Sequence, residues 1–179
     1  MPRCKICKDK YEAKYFLQKT CLDPTCILEY KNVVKAKEWK KEKAVLKEKL
    51  KTREDYYQET LKVFNKYIRI RDKGQPCISC DAPAGTYKIT SGHFYPQGTY
   101  RNIALNEDNA NGQCWYNCNK NKHGNLLEYR PRLIKKIGIK RVEELDRLRN
   151  ETRKYSIPEL IEMKVILKDK IKALQNEAN

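Results

Sequence analysis

The sequence predicts an α+β protein that is mostly helical, with a small cysteine-rich core set between helical segments. Three observations support this class. The chain has neither proline nor glycine from about Ile27 to Arg71, which is typical of helix. Its eight cysteines fall into four close pairs, and YKITSGHFY, between the third and fourth pairs, is the clearest strand-like stretch.

The charge of the chain points to a polyanionic partner. It has 39 Lys and Arg against 23 Asp and Glu, a net charge of +16 over 179 residues. Nucleic acid is the commonest polyanion that such a charge attracts, and an anionic membrane surface is the competing partner. No helix with a large, clean apolar face is evident, which disfavours membrane binding. The sequence shows no apolar run of 18 residues and no secretory signal, so we expect a cytoplasmic protein.

The cysteine spacing predicts two structural zinc sites. In a reducing compartment, paired cysteines bind metal rather than form disulfides, and two pairs make one tetrahedral site. Buried structural thiols would not require pairing without remainder. The first site would use Cys4, Cys7, Cys21 and Cys26, and the second Cys77, Cys80, Cys114 and Cys118.

Residues 1–30 are predicted to form a zinc knuckle, and residues 31–72 a long basic helix. The knuckle is too short to fold without metal, and it either binds DNA or a partner or caps the structure. From Lys31 to Glu54 the chain has ten basic and four acidic residues. The helix would be either a solvated spacer or a dimerisation arm whose basic face follows phosphates. Its apolar stripe comprises Trp39, Leu46, Leu50, Tyr57, Leu61, Phe64 and Ile68, and its candidate DNA-binding residues are Lys35, Lys40, Lys41, Lys43 and Lys47.

Residues 73–130 contain both histidines of the chain and are predicted to hold the reactive chemistry. A strand through Tyr87 and Ile89 would turn at Gly92 and present His93. If a helical turn opens at Cys118, Asn119 and His123 face the same way. A neutral imidazole can accept a proton from water, and amide oxygens suit Mg²⁺ or Mn²⁺. Together these groups suit phosphodiester hydrolysis, although such asparagines often only bond to the backbone and such histidines often only pack.

Residues 131–179 are predicted to be helical and are assigned no chemistry. Pro131 is expected in the first turn of one helix, with Gly138 as its stop. RVEELDRL would form a second short helix. In SIPE, Ser156 and Glu159 have the spacing of a capping box for a third helix.

From about Ile68 to Leu148 the sequence resembles a known nuclease family. The order is Cys-x2-Cys, a strand ending in histidine, Asp-Asn before a cysteine, and Cys-Asn-x2-Lys, which resembles an HNH (ββα-metal) endonuclease. More specifically, RDKGQPCISC, SGHFYPQGTYRNIALNEDNANGQC, CNKNKHGNLLEYR and LIKKIGIKRVEEL are similar to the NinG (Rap) recombination endonucleases of lambda-like phages. The amino-terminal knuckle followed by a lysine-rich helix also matches the arrangement of that family.

The resemblance implies a zinc-stapled HNH-like core and a nuclease that cuts branched DNA, such as Holliday junctions and D-loops, in phage recombination. His93 would be the general base, Asn119 a ligand of the catalytic cation, and Asn109 the asparagine that fixes the loop carrying His93. The four cysteines from Cys77 to Cys118 would hold structural zinc. His123 is a further candidate ligand, and Lys120 and Lys122 are further candidates for DNA contact. Phage or host recombination proteins would be partners, and the host nucleoid the place of action.

The sequence departs from the family pattern at two positions. Gly92 stands where an acidic or histidine metal ligand usually precedes the base, so Asp81, Glu107, Asp108, His123 or water would complete the coordination. The last cysteine pair is spaced x3 rather than x2, which could bring Asn117 instead of Asn119 into the ligand role.

Two functional hypotheses follow. The first is an endonuclease on branched DNA that uses Mg²⁺ or Mn²⁺; because a symmetric junction needs two cuts, it would act as a homodimer. The second is a non-catalytic zinc protein that binds DNA or RNA through its basic helix and knuckles. Replacement of His93 separates them, since it abolishes cleavage only in the first case.

Overall fold

A computed structural model describes residues 1–177, which form two compact units, one of Met1–Lys51 and one that begins at Thr52. The described chain is mixed α and β and mostly helical, as predicted. None of its described helices is both long and apolar enough to cross a lipid bilayer.

The first unit consists of the cysteine knuckle and helix α1 (Pro24–Lys49). Asp23 caps α1, because its carboxylate accepts the N–H groups of Thr25 at 2.9 Å and Cys26 at 3.1 Å. Pro24 at the first helical position loses no intrahelical bond. The first turn of α1 therefore supplies Cys26 to the knuckle, and the rest of the helix is largely exposed.

The predicted uninterrupted helix over 31–72 is wrong. The chain leaves α1 after Lys49 and starts helix α2 (Arg53–Arg71) with a new cap at Thr52. Thr52 Oγ1 accepts the Asp55 N–H at 3.3 Å, and Asp55 Oδ2 accepts the Thr52 N–H at 2.8 Å. This reciprocal capping box satisfies the free N–H groups of a new helix, so helix restarts here without needing proline or glycine.

The apolar stripe assigned to the long helix divides at the same point. On α1, Trp39 and Leu46 are exposed. On α2, the stripe packs against helix α5 (Ile157–Glu177), where Leu160, Leu167 and Ile171 are buried. The buried members on α2 are Tyr57, Leu61, Phe64 and Ile68. The α2 half of the stripe thus forms the core of the second unit rather than a dimerisation surface.

Helices α3 (Leu126–Ile137) and α4 (Ile139–Leu148) lie between the sheet and α5 in the chain. Gly138, at φ +85°, separates them as predicted. The placement of Pro131 in a first turn is wrong: α3 begins at Leu126, and Pro131 lies inside it. The carbonyl that loses its partner there belongs to Leu127, a residue that is 90% exposed. The capping box of α5 is confirmed, with Glu159 accepting the Ser156 N–H at 2.7 Å.

The second unit contains a two-stranded antiparallel sheet that packs against α2. It pairs β1 (Ile89–His93) with β2 (Ala110–Cys114), with Thr90 opposite Gln113 and His93 opposite Ala110. The predicted turn at Gly92 is wrong, because the strand runs through Gly92 to His93. A second apolar cluster, which comprises Ile78, Phe94, Tyr95, Ile103, Tyr129, Leu133, Val142 and Leu145, joins α3 and α4 to the long connection between the strands.

Candidate active site and metal centres

The eight cysteines form two tetrads that could each bind one zinc ion. Within each tetrad all four sulfur atoms lie within 4.8 Å of one another, in the predicted pairing. In the second unit, one pair lies on the turn after α2 and the other at the end of β2 and in the helical turn that follows. A tetrahedral thiolate site would therefore tie α2, the sheet and that helical turn together.

The second tetrad has the donor chemistry of a metal site. Burial raises the pKa of the Cys77 thiol to about 11 and also raises the pKa of Cys118. Four clustered thiols cannot all ionise without a cation, because each thiolate repels the next. Backbone N–H groups of Ser79 and Cys114 point at Cys77 Sγ, at 3.5 and 3.2 Å, and would stabilise a thiolate there.

The x3 spacing of the last pair is accommodated by a π-helix, Trp115–Asn121. Its wide turn is seen where Lys122 N–H donates to the Asn117 carbonyl five residues earlier, at 3.2 Å. The extra residue between the thiolates is thus taken up without displacing Cys118. The same turn directs Asn119 towards the sheet, while Asn117 is exposed and does not line the cavity described next, among the described residues.

A polar cavity of about 350 Å³ lies beside the end of β1. It brings together His93, Asn119 and His123, the three residues proposed for the reacting end of the site. The other lining residues come from α2, from β1 and the loop after it, and from the turn before α3: Asn65, Arg69, Thr90, Ser91, Pro96, Gln97, Gly98 and Gly124.

His93 is held in one tautomer with one ring nitrogen left basic. Its Nε2 lies 3.0 Å from the carbonyl oxygen of Ala104, which can only accept, so this nitrogen carries the proton. Nδ1 is then the unprotonated nitrogen. Burial lowers the pKa of His93, and the backbone groups of Ala104 and Ser91 beside the ring offset this only in part. The ring, packed 6.1 Å from that of Phe64, is therefore neutral near pH 7 and able to accept a proton.

Asn109 links the two backbone segments that position His93. Its Oδ1 accepts the Tyr95 N–H at 2.8 Å, and its Nδ2 donates to the carbonyls of Tyr95 at 3.0 Å and Ile103 at 3.3 Å. Tyr95 follows His93 by two residues, and Ile103 precedes Ala104. Asn109 is fully buried, so it can act only through this loop and not by touching a substrate.

Gln113 occupies the space that a side chain at position 92 would need. Its Oε1 accepts from Asn119 Nδ2 at 3.0 Å, and its Nε2 donates to the carbonyl of Gly124 at 2.6 Å. A Cβ built on Gly92 would lie 2.8 Å from Gln113 Cβ and closer still to Oε1. Gly92 thus allows Gln113 to approach closely. Because Gln113 binds the Nδ2 group of Asn119, the Oδ1 atom of Asn119 stays available to face the cavity.

Replacing Gly92 with alanine is expected to lower the free energy of unfolding by about 1–3 kcal/mol, because buried Gln113 must move to make room. Thermal melting followed by circular dichroism measures the change. Gly74→Ala is the matched control, since nothing lies within 4 Å of a Cβ there. Equal melting temperatures for the two variants would contradict this account of Gly92.

The acidic residues proposed to replace a ligand at Gly92 lie elsewhere. Asp81 pairs with Arg132 at 2.7 Å, Glu107 pairs with Lys170, and Asp108 pairs with Arg141. None of the three lines the cavity. Of the side chains proposed for that role, His123 alone lines it in the part of the chain that the structure describes.

The candidate DNA-binding lysines are solvent-exposed. Lys120 Nζ lies 5.3 Å from the ring centre of Trp115 and 5.8 Å from that of Tyr116, which makes an exposed basic and aromatic surface on the π-helix. The other exposed members are Lys122 beside it and, on α1, Lys35, Lys40, Lys41, Lys43 and Lys47.

Among the cavity residues that sequence reasoning missed, three bear on its chemistry: Asn65, Arg69 and Ser91. Arg69 has no ion-pair partner among the described residues, and Asn65 Oδ1 and Ser91 Oγ are buried without a hydrogen bond there. The four-residue spacing of Asn65 and Arg69 beside the apolar stripe of α2 was the available signal. That these two residues share a cavity with His93 could be recognised only from the packing of α2 beside β1.

Comparison with known proteins identifies the family. A family model described as Bacteriophage Lambda NinG protein matches residues 1–177. Protein ninG of Escherichia phage lambda is 34% identical over 127 residues, which are 71% of this chain and 61% of that protein. Protein ninG of Escherichia phage 933W is 32% identical over 127 residues, 71% of this chain and 62% of that protein. Protein ninG of Salmonella phage P22 is 35% identical over 97 residues, 54% of this chain and 47% of that protein.

The matches to the first two relatives span about three fifths of those relatives' own length. No solved structure matches the chain. Because the family model covers all of the described residues, the chain belongs to the NinG family of bacteriophage lambda.

Proposed function

We propose that this chain is a metal-dependent endonuclease that hydrolyses phosphodiester bonds in branched DNA during phage recombination. The observation that carries the proposal is the state of His93, neutral, with Nε2 bound to a carbonyl and Nδ1 basic, in a polar cavity with Asn119, His123 and Arg69. A general base needs this arrangement, because its proton-accepting atom must be free while its orientation is fixed.

In the proposed reaction, Nδ1 of His93 accepts a proton from a water molecule whose oxygen attacks phosphorus. A bond forms between that oxygen and phosphorus, and the bond from phosphorus to the leaving DNA oxygen breaks. Arg69, half-buried and without an ion pair among the described residues, would bind a non-bridging oxygen of the same phosphate. Asn109 holds the loop that keeps His93 in place.

The cavity suits a hard cation whose remaining ligands are water and phosphate. Asn119 Oδ1 and His123 would hold it, and the buried oxygens of Ser91 and Asn65, which lack partners among the described residues, could bind its waters. No carboxylate is among the described lining residues, so substrate phosphate would complete the coordination. When bound, Mg²⁺ or Mn²⁺ would stabilise the charge that develops on the leaving oxygen.

An HNH-like core is part of the proposal. In support, β1 ends in the candidate base, β2 follows antiparallel, and the helical turn after β2 carries Asn119. The tetrad of Cys77, Cys80, Cys114 and Cys118 would bind structural zinc and hold that turn against the sheet. The exposed lysines of α1 and the π-helix would bind phosphates along the DNA.

A second function is favoured by one observation: the cavity lacks a carboxylate ligand among the described residues, while exposed lysines line α1. A zinc protein that binds DNA or RNA without cutting it would need only those lysines and the two zinc sites. Both functions predict salt-sensitive binding, so binding alone does not separate them.

The separating experiment is cleavage of a synthetic four-way junction, with linear duplex of the same sequence as control. Zinc-loaded wild type and His93→Ala are compared with Mg²⁺, with Mn²⁺ and with no added divalent cation. Omitting the cation is preferable to adding EDTA, because EDTA would also remove structural zinc. We expect junction cleavage that needs the cation and falls by about 10²–10⁴-fold in His93→Ala, with junction binding unchanged.

If wild type binds the junction and cuts nothing with either cation, the binding function stands and the nuclease proposal is wrong. If His93→Ala cuts as well as wild type, the chain is a nuclease with another base. His123→Ala in the same assay then tests the proposed cation site.

A homodimer is proposed because a symmetric junction needs two equivalent cuts. Helix α1, with Trp39 and Leu46 exposed, offers an apolar surface for it. Sedimentation as a monomer with junction cleavage intact would contradict the dimer.

Phage or host recombination proteins are the proposed partners, on the nucleoid of the bacterial host.

A further inference from the structure

A second cavity in the unit that begins at Thr52 is strongly basic. Its volume is about 510 Å³, and it is lined by the start of α2, by the loop between the strands and by the segment between α4 and α5. The two acidic lining residues are Glu54 and Glu151, and the five cationic ones are Arg53, Arg101, Arg149, Arg153 and Lys154.

Few of these cations are neutralised within the protein. Arg101 pairs with Glu54 at 2.5 Å, and Arg153 reaches Glu159 at 3.5 Å. Glu151 pairs outside this set of cations, with Arg147. Arg53, Arg149 and Lys154 therefore have no ion pair among residues 1–177. Such an excess of like charge in one concave surface favours an anionic ligand.

Three of the guanidinium groups are held in place by aromatic rings. Arg101 lies 4.3 Å from the ring centre of Tyr57, and Arg149 lies 4.9 Å from that of Tyr95. Arg153 likewise lies 4.7 Å from the ring of Tyr155. Stacking limits the motion of a guanidinium. Arg149 is the one of the three without an ion pair among the described residues, so its N–H edge is free to donate and little entropy is lost when a phosphate binds.

Tyr57 provides an independent indication of a ligand. It lines the cavity with only 5% of its surface exposed, and its buried hydroxyl has no hydrogen-bond partner among the described residues. Burial also raises its pKa, and the neighbouring Arg101 guanidinium opposes this only in part, so the hydroxyl keeps its proton and can donate. A buried hydroxyl without a partner costs stability. Arg101 lies over the ring, so an anion in the cavity satisfies this hydroxyl when the Arg101 side chain shifts to bind it.

The basic cavity lies near the candidate active site but does not coincide with it. Gln97 and Gly98 line the active-site cavity, whereas Thr99, in the same turn, and Arg101, at the start of the next turn, line the basic one. On α2, Tyr57 lines the basic cavity and Asn65 lines the active-site cavity. These two residues are roughly 12 Å apart along the helix at 1.5 Å per residue. One phosphate cannot reach both cavities. Phosphates a few nucleotides apart on DNA can, because successive ones are separated by roughly 3.4 Å along the helix axis.

We infer that the basic cavity binds a backbone phosphate of DNA, several nucleotides from the bond that His93 attacks. The inference rests on the proposed function for the identity of the ligand. Arg149, Arg53 and Lys154 donate to the phosphate oxygens, and the hydroxyl of Tyr57 contributes one more hydrogen bond.

The test measures binding rather than cleavage, so that it succeeds or fails independently of catalysis. Fluorescence anisotropy follows a labelled four-way junction and a linear duplex binding to zinc-loaded full chain carrying His93→Ala, without added Mg²⁺, over about 50–200 mM salt. Two charges are removed from the cavity by Arg149→Ala with Lys154→Ala. The control, Lys168→Ala with Lys172→Ala, removes the same charge from exposed positions on α5.

We expect the cavity variant to bind junction or duplex about tenfold more weakly than the control variant. Its plot of log affinity against log salt should be shallower by about 1, because the two removed cations would otherwise neutralise the one phosphate in the cavity. Binding equal to the control on both DNAs overturns the inference. A second result would also overturn it: inorganic phosphate raises the melting temperature of the parent but not of the cavity variant, while the two proteins bind DNA equally. The cavity would then bind a small anion rather than DNA.

Tyr57→Phe keeps the inference testable if the double variant fails to fold. It removes only a hydroxyl that has no partner among the described residues of the free protein, so the melting temperature should stay the same or rise while DNA binding weakens. A purely structural tyrosine would not show that combination. Unchanged DNA binding in Tyr57→Phe would count against the site.

Discussion

Replacing Cys118 with serine is expected to remove zinc from one of the two tetrads and to lower the melting temperature of the second unit by about 10 °C or more. The tetrad joins the turn after α2, the end of β2 and the π-helix, and the sheet between them has only five residues in each strand. So small a sheet has little stability of its own, and zinc bound at the tetrad would add the stability that its packing does not provide.

The measurement combines zinc content per chain, which should fall from two to one, with thermal melting. Cys7→Ser is the matched control, because Cys7 lies in the other tetrad and in the other unit. It should also lose one zinc but leave the melting of the second unit unchanged. A Cys118→Ser protein that keeps two zinc ions or melts with the wild type would contradict the structural role of this tetrad.

Replacing Asn109 with alanine is expected to cost about 3–5 kcal/mol of stability and to reduce the proposed cleavage by about 10²-fold. The side chain makes three hydrogen bonds to the backbone of Tyr95 and Ile103, and it is fully buried. Alanine leaves those backbone groups without partners. It also frees the loop whose Ala104 carbonyl fixes the tautomer of His93.

Two controls separate positioning from stability. Asn106→Ala removes a single side-chain hydrogen bond in the same loop, which Asn106 accepts from the Asp108 N–H. It should change the stability and the cleavage rate little. Asn109→Asp keeps the acceptor for Tyr95 but loses both donated bonds. Cleavage is measured well below each melting temperature, where every variant is folded. If folded Asn109→Ala cuts at the wild-type rate, Asn109 does not position His93.

The sequence predicted most of the elements whose determinants are local. The four cysteine pairs give the tetrads seen in the structure, because ligand spacing along a chain limits which thiols can meet. The capping box at Ser156 and the stop at Gly138 are likewise where the sequence predicted them. The break before α2 had a local signal too, since Thr52 and Asp55 have capping-box spacing, but the continuous stripe of apolar residues concealed it.

The surroundings of position 92 could not be read from the sequence. Gly92 looked like a turn residue and a missing ligand, whereas it makes room for Gln113, which is 21 positions away in the chain and two pairs removed in the register. The exclusion of Asp81, Glu107 and Asp108 from the cavity also depended on partners in distant helices, such as Lys170 on α5 for Glu107.

By itself, the sequence determined which cysteines could bind zinc, the basic charge and the family resemblance, because these follow from residue identity and short spacing. Only the tertiary structure decided which polar side chains share one cavity with His93, and it added Arg69 and Asn65 from α2. It also brought together the arginines of the basic cavity from three separate segments. The physical reason is that hydrogen bonds and ion pairs between distant residues depend on how helices and strands pack, which no local pattern encodes.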